Sequence, residues 1–505
     1  MSVRNNILAG WVAHLVTVLI GFFLMPYILG TVGEAQYGAW IFINAIASYS
    51  NVLYSGFGAT LVRYVADLSA REDQKRLNSF VSNIQLVYFG TATLVMLCTA
   101  LAAWIVPDVK QWEGVAKWEM RYAILIVGTT IATGMVASVY GGILVGTQRL
   151  DLKRAIEVSM GITRLVLTLV CLRERFGLMT LAAIFFAITL FEHGLSACLA
   201  YRQCPGLRIR FWNYNRETMR ECFGFSSMNA IALIAEYMIY FTDTIVIGFV
   251  LGPKAVVPYQ IGLRIVQMIQ IPIAQIGEAV LPKAGELHAK ESSSELGPLV
   301  ARGMGLAFLL AGGFLIGATY FGQLLINTWI GPGYGESYPV LVILLGAQMV
   351  ALPMVVARKA LLGTGQIRLQ VVIDLMEAIC NLGLSLLFVS FWGIMGVAWG
   401  TFVPLVVIEL FVLLPCAMKL LHLRVRSLWK ETIAPQLPAF AVLLVACDLV
   451  SRRVPETGWL PLMAATAIGG GALVAVRYGT HLLEKRDLTA SVSPMNSPET
   501  TPQAG

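Results

Sequence analysis

Residues 240–268 read YFTDTIVIGFVLGPKAVVPYQIGLRIVQM. Two apolar arms flank Gly252-Pro253. Glycine takes the left-handed backbone that ends a helix, and proline suits the first position of the next. The stretch therefore predicts a tight helical hairpin. Each arm carries one full charge, Asp243 and Arg264, and each charge lies 10.5 positions from a midpoint near residue 253.5. At 1.5 Å per residue both stand roughly 15 Å from the tip, halfway through a hydrocarbon slab about 30 Å thick. A charge at that depth costs about 2.5–3.5 kcal/mol on insertion scales, so it must pair or face a wet cavity.

The rest of the chain repeats this pattern. Of 505 residues, 57% are hydrophobic and 13% charged, with a mean hydropathy of +0.74. Soluble domains carry about 25% charge, so an ordinary soluble core is excluded. Fourteen apolar runs are predicted to cross a bilayer: 7–30, 38–64, 80–106, 121–145, 153–172, 177–201, 222–251, 255–281, 299–326, 337–358, 369–391, 393–418, 433–450 and 458–476. With the N-terminus placed in the cytoplasm, 26 Lys and Arg fall in cytoplasmic segments and 8 in outer ones. That bias predicts both termini inside. The formal charge of +7 then reflects topology, and no nucleic-acid partner is predicted. The cysteines form no CxxC, no His/Cys/Asp cluster has metal-ligand spacing, and no GxxxxGK[ST] is present. Neither a metal nor a cofactor nor ATP hydrolysis is predicted.

An internal repeat is visible. ILGTVGEAQYGAWIFI (28–43) aligns without gaps to VLGPKAVVPYQIGLRI (250–265), matching Gly30 and Tyr37 to Gly252 and Tyr259 at an offset of 222. GTQRL (146–150) matches GQIRL (365–369) at an offset of 219. The fold expected is an all-α polytopic membrane protein, with two six-helix lobes in parallel orientation and two added helices. The boundaries are an N-lobe at 1–204, a basic cytoplasmic linker at 205–221, a C-lobe at 222–420, two further helices at 421–479 and a disordered cytoplasmic tail at 480–505.

FLMPYILGTVGEAQYGAW (23–40), its echo TDTIVIGFVLGPKAVVPYQIGLRI (242–265) and the six-plus-six-plus-two layout resemble the Wzx-type polysaccharide and O-antigen flippases. These belong to the multidrug/oligosaccharidyl-lipid/polysaccharide exporter superfamily. The resemblance implies two bundles around a cavity that opens alternately to each side of a bacterial inner membrane. It implies a cargo of undecaprenyl-pyrophosphate-linked oligosaccharide, contact with membrane lipid, H⁺ or Na⁺ coupling, and a polymerase partner in the membrane.

Within that frame Arg264 is the first candidate for the pyrophosphate, since a guanidinium is a permanent, planar, multi-donor cation. Related lipid-precursor flippases line their cavity with arginines, one of them in the eighth helix, where Arg264 falls. Asp243 either locks Arg264 in a structural ion pair or holds its rotamer and releases it on protonation. Arg164 is the second deep arginine, facing the cargo or paired with Glu157 seven residues before it. Arg63, near the inner end of the second span, either meets the headgroup or sets topology. Candidate ion-coupling acids are Asp243, Glu409 and the i,i+3 neighbours Asp374 and Glu377, which otherwise form an interfacial charged face. Two other functions fit less well. A cation-coupled multidrug transporter favours an acidic cavity, although a lipid II transporter shares the anionic cargo. A membrane-embedded polymerase or ligase needs a large outer loop, and the longest here, about 107–120, is short and lacks His.

Overall fold

The computed structural model describes the backbone of residues 3–108, 112, 114–173, 177–210, 216–290, 293–471 and 473–474, with side chains except at 3–15, 17, 53–56, 216–232 and 293–294. The expected tail at 480–505 lies outside the described residues, as does 211–215 of the expected linker. Among the described residues every regular element is helical. In chain order these are α1 (3–32), α2 (34–70, with a 3-10 turn at Tyr49–Asn51), α3 (Gln74–Ile105), α4 (Lys117–Gly146), α5 (Leu150–Cys171), α6 (Gly177–Gln203), α7 (Arg216–Val250), α8 (Pro253–Ala289), α9 (Ser293–Trp329) and α10 (Ser337–Gly363). They continue with α11 (367–392), α12 (394–420, with a π turn at Glu409–Leu413), α13 (425–451) and α14 (459–471).

Ten segments among the described residues are long and apolar enough to cross a membrane. The longest, Ile367–Leu420, has 54 residues. As one rod it would run about 80 Å, more than twice the hydrocarbon thickness. Gly393 breaks it, at φ 56° and ψ −133°, and α11 and α12 return along each other. A Cβ on Gly400 would stand 2.6 Å from the Cα of Ser385, and one on Gly396 would overlap the carbonyl of Phe388. Gly33, at φ 78°, separates α1 from α2 in the same way. Pro26, Pro353 and Pro404 sit inside helices without ending them. A proline removes one backbone hydrogen bond, whereas a reversal needs positive φ, which glycine supplies without strain.

Gly396→Ala is expected to lower the melting temperature in detergent. Its methyl meets a backbone oxygen that cannot rotate aside, and such overpacking costs about 1–3 kcal/mol. Gly383→Ala on the neighbouring arm, with nothing within 4 Å of its Cβ position, is the control and should leave the melting temperature unchanged or slightly higher.

The chain forms two compact units. The first comprises Met1–Met268, Tyr334–Ala347 and Gln366–Leu413. Part of its core lies where α2, α3 and α4 bury Leu61, Val65, Ile84, Tyr88, Val139 and Ile143. Asp73 caps α3 by accepting from the Arg76 amide at 3.0 Å, satisfying one of the free donors of the first turn. The second unit comprises Ile269–Gly333, Gln348–Gly365 and the chain from Leu414. Within it Lys359 pairs with Glu278 at 2.6 Å, and the Thr432 hydroxyl donates to the Ala301 carbonyl at 2.9 Å.

The turns revise the register of the repeat. Gly252 has φ 93°, and both it and Leu251 donate to the Ile247 carbonyl, at 3.2 and 2.8 Å. Its counterpart at the first tip is Gly33. Gly30 lies inside α1. Gly33 to Gly252 is an offset of 219, the same as for GTQRL and GQIRL. Matching glycines by identity had placed the first hairpin three residues out of register, because only one of them carries the reversal.

Candidate functional site

Each hairpin sends one face into a common cavity of about 390 Å³ in the first unit. From α1 and α2 come Ile28 and Tyr37, Met25 and Trp40, Leu24 and Ile41, Gly21 and Asn44, each pair symmetric about the junction of Val32 and Gly33. From α7 and α8 come Phe241, Thr244, Gln260 and Arg264, and from α5 Gly161 and Arg164. Gln260 and Arg264 are four apart, hence on one helix face, and Gln260 is fixed by its 2.5 Å hydrogen bond to Thr244.

Two arginines therefore line one cavity, with no carboxylate among its described lining residues. Arg264 is exposed and reaches toward α1, where a Cβ on Gly21 would stand 3.2 Å from its Nη2. Arg164 lies over the ring of Phe185, 5.8 Å from the centroid, and Trp40 meets that ring edge-on at 5.9 Å. Tyr37 stands within electrostatic reach of both guanidiniums.

Asp243 does not pair with Arg264. It is 4% exposed and faces away from the cavity. Its Oδ2 accepts from the Tyr259 and Thr401 hydroxyls, both at 2.6 Å, and its Oδ1 from the Ser385 hydroxyl at 3.3 Å. Asn381 donates to Thr401 at 3.1 Å. The reason is angular. Tyr259, opposite Asp243 in the hairpin, precedes Arg264 by five residues, roughly 140° around the helix. Arg264 thus stands about 7.5 Å further along α8 than the residue across from Asp243 and points to a different side, so the expected ion pair, and with it the rotamer hold, is replaced by a shell of neutral hydroxyls. A test follows. Asp243→Asn combined with Arg264→Gln is expected to impair transport as the sum of the single changes, within about 0.5 kcal/mol. Rescue by the double change would restore the pair.

The expected Glu157–Arg164 pair is also absent. Glu157 binds Arg154 at 2.8 Å and Lys153 at 3.6 Å, three and four residues back, while Arg164 lies two turns further along α5. Lys153 also binds Glu192 at 2.9 Å. Arg63 is exposed on α2 and does not line the cavity. Asp374 is part-buried, Glu377 and Glu409 are 5% and 3% exposed, and none of the three lines the cavity. All four have interaction partners. Sequence reasoning missed Tyr37, Trp40, Asn44, Thr244 and Gln260 on the cavity, and Tyr259, Ser385 and Thr401 around Asp243. One signal was available: Ser385 and Thr401 lie eight residues before and after Gly393, as hydroxyls opposed across a hairpin must.

Comparison with known proteins agrees with this architecture. Residues 3–288 match the family model described as "Polysaccharide biosynthesis protein". The chain is 20% identical over 405 residues to a "Putative O-antigen transporter" of Shigella flexneri, covering 79% of this chain and 94% of that protein. It is 19% identical over 358 residues to the "Uncharacterized membrane protein EpsK" of Bacillus subtilis, covering 70% of each. Among solved structures, the lipid II flippase MurJ in an inward closed conformation superposes with a TM-score of 0.71 at 12% identity, over 96% of this chain and all of that one. An inward-facing multidrug-resistance transporter of the MATE family gives 0.63 at 14%, over 80% of this chain and 98% of that one. These two likenesses concern the fold. The matched family model covers more than half of the sequence, and the chain belongs to the polysaccharide biosynthesis protein family as a multi-pass membrane transporter of the flippase type.

Proposed function

We propose that the chain carries a polyprenyl-pyrophosphate-linked oligosaccharide, with undecaprenyl as the lipid, across a bacterial inner membrane by alternating access, supplying a surface polysaccharide. The observation that carries this reading is the pair Arg164 and Arg264 on a cavity with no acid among its described lining residues. A pyrophosphate is a dense anion, and the forks of two guanidiniums replace the hydration it loses. Tyr37, Asn44, Thr244 and Gln260 offer hydroxyl and amide groups to sugar, and Trp40 and Phe241 offer ring faces. In this reading α1–α6 and α7–α12 are the two lobes, both termini are cytoplasmic, and Asp243 is the ion-coupling group. Its hydroxyl shell supports that role. Three neutral donors stabilise the carboxylate without supplying a countercharge, so a proton or Na⁺ is left to do so. Asp374, Glu377 and Glu409 are secondary coupling candidates, and Arg63 is a contact at the cytoplasmic mouth. A membrane polymerase receives the cargo on the far side.

The test is deletion of the gene followed by leaflet assignment of the lipid-linked oligosaccharide. Sealed right-side-out vesicles are treated with an impermeant glycosidase. The deletion strain is expected to protect the accumulated oligosaccharide on the cytoplasmic leaflet, and complementation should expose it. Equal digestion in both strains would overturn the proposal.

A further inference from the structure

Residues 204–210 leave the end of α6 and lie along α3. Asn78 donates to the Gly206 carbonyl at 2.9 Å and accepts from the Arg208 amide at 2.9 Å. One turn on, the Ser82 hydroxyl accepts from the Arg210 amide at 3.1 Å. Asn78 and Ser82 are about 6 Å apart along the helix, and amides two residues apart reach both only in an extended chain, at about 3.3 Å per residue. Side chains in such a chain alternate. Leu207 is 4% exposed in the same core as Leu61 and Tyr88, and Ile209 packs against it. Arg208 and Arg210 are exposed on the other side. The basic linker expected from the sequence thus begins as a strap, its apolar residues fixed inward and its arginines held outward.

Depth places the strap among lipid headgroups. The apolar segment that α3 opens, Gln74–Asp108, has 35 residues, about 52 Å of helix. Centred on hydrocarbon about 30 Å thick, it projects about 11 Å at each end. Asn78 and Ser82, about 6 and 12 Å from that end, then lie about 20 and 14 Å from the midplane, which brackets a headgroup layer between about 15 and 22 Å. Tyr201, in the last turn of α6, is exposed and meets Tyr140 at 5.7 Å between centroids, as aromatic side chains do at that level. Residues 67–76 and 202–210 hold six Lys and Arg against three acids, Asp67, Glu72 and Asp73. Asp67 pairs with Arg71 at 2.9 Å, and Asp73 accepts from the Arg76 amide. Among the described residues neither Arg208 nor Arg210 forms an ion pair. A guanidinium at the hydrocarbon edge needs an anion, and the anion abundant at that depth is lipid phosphate.

We infer that the strap is a binding surface for anionic phospholipid of the cytoplasmic leaflet, with Arg208 and Arg210 as its phosphate contacts. Their Cα positions lie about 7 Å apart in an extended chain, so the two forks can meet neighbouring phosphates or both phosphates of one lipid. The leaflet rests on the topology proposed above, whereas the lipid preference does not. Purified full-length protein is placed in mixed micelles holding equal phosphatidylglycerol and phosphatidylethanolamine, and bound lipid is counted by native mass spectrometry. The wild type is expected to retain the anionic lipid over the zwitterionic one by roughly threefold or more. Arg208→Gln with Arg210→Gln should bring the ratio toward parity and leave the melting temperature in lipid-free detergent unchanged. Lys283→Gln with Lys290→Gln removes two cations that already pair with Glu286, and should keep the wild-type ratio. Raising salt to about 0.5 M should lower the wild-type ratio, a readout that needs no variant to fold. A wild-type ratio at parity, a ratio indifferent to salt, or an equal fall in the Lys283 and Lys290 variant would each overturn the surface. So would displacement of the lipid by millimolar inorganic phosphate, which would make this a site for soluble anions. Gln203→Cys, with the eight native cysteines replaced, reports the side of the membrane. Its protection from an impermeant maleimide on intact cells is expected. Labelling there would overturn the leaflet and the proposed topology together, while the micelle ratio still decides the surface.

Discussion

Arg264→Ala is expected to reduce translocation of lipid-linked oligosaccharide by roughly 10- to 100-fold while leaving the protein folded and in the membrane. The side chain lines the cavity and holds no ion pair among the described residues, so its removal leaves no buried partner charge behind there. On the proposed reading, what is lost is the net contribution of one charge-assisted contact to phosphate, worth about 1.5–3 kcal/mol. Arg264→Lys keeps the charge and loses the fork, and should fall between wild type and alanine. Arg164→Ala should produce a smaller loss, because Arg164 already rests on Phe185. The measurement is initial rate in the glycosidase assay, normalised to membrane-extracted protein. Full activity of Arg264→Ala would remove the arginine pair as the cargo site.

Asp243→Leu should act on stability as well as rate. It takes the acceptor from Tyr259, and a buried hydroxyl left unpaired costs about 1–3 kcal/mol, while Ser385 and Thr401 are left with only the Val397 carbonyl, at 3.5 and 3.2 Å. The expected result is a large fall in melting temperature and in the yield of monodisperse protein. Asp243→Asn keeps an acceptor of the same shape and removes the charge. It is expected to fold, and to transport at a rate that no longer responds to an imposed H⁺ or Na⁺ gradient. Gradient-driven transport in vesicles measures this. An asparagine variant that still answers the gradient would place the coupling group elsewhere, with Glu409 and Glu377 next in line.

The two charges show how far the linear reading reached. Equal distance from a Gly-Pro midpoint predicts one depth for Asp243 and Arg264; the structure keeps both in one hairpin but sets Arg264 five residues beyond the position across from Asp243. Their azimuths depend on which residue lies opposite which, and Tyr259 rather than Arg264 takes the place across from Asp243. Arg164 was legible as a deep arginine. Its convergence with Arg264 on one cavity was not, because α5 and α8 are about a hundred residues apart and share no local pattern. The acids Asp374, Glu377 and Glu409 drew notice by being charged, yet the lining of the cavity comes from Tyr37, Trp40, Asn44, Thr244 and Gln260. Those residues are unremarkable in an apolar helix until a neighbour is known.

Composition, run length and turn chemistry were enough to establish a helical membrane protein with repeated hairpins, and its likeness to the flippases supplied the transporter reading. Bilayer thickness dictates helix length, and positive φ dictates where glycine must stand. Which faces of those helices meet was decided by packing. The side-chain direction of a helix turns by about 100° per residue, so the five positions from Arg264 back to Tyr259 send a carboxylate to a hydroxyl shell instead of to an arginine. That register is set by contacts such as Phe42 in the Gly248 notch and α12 against α11, which join residues far apart in the chain.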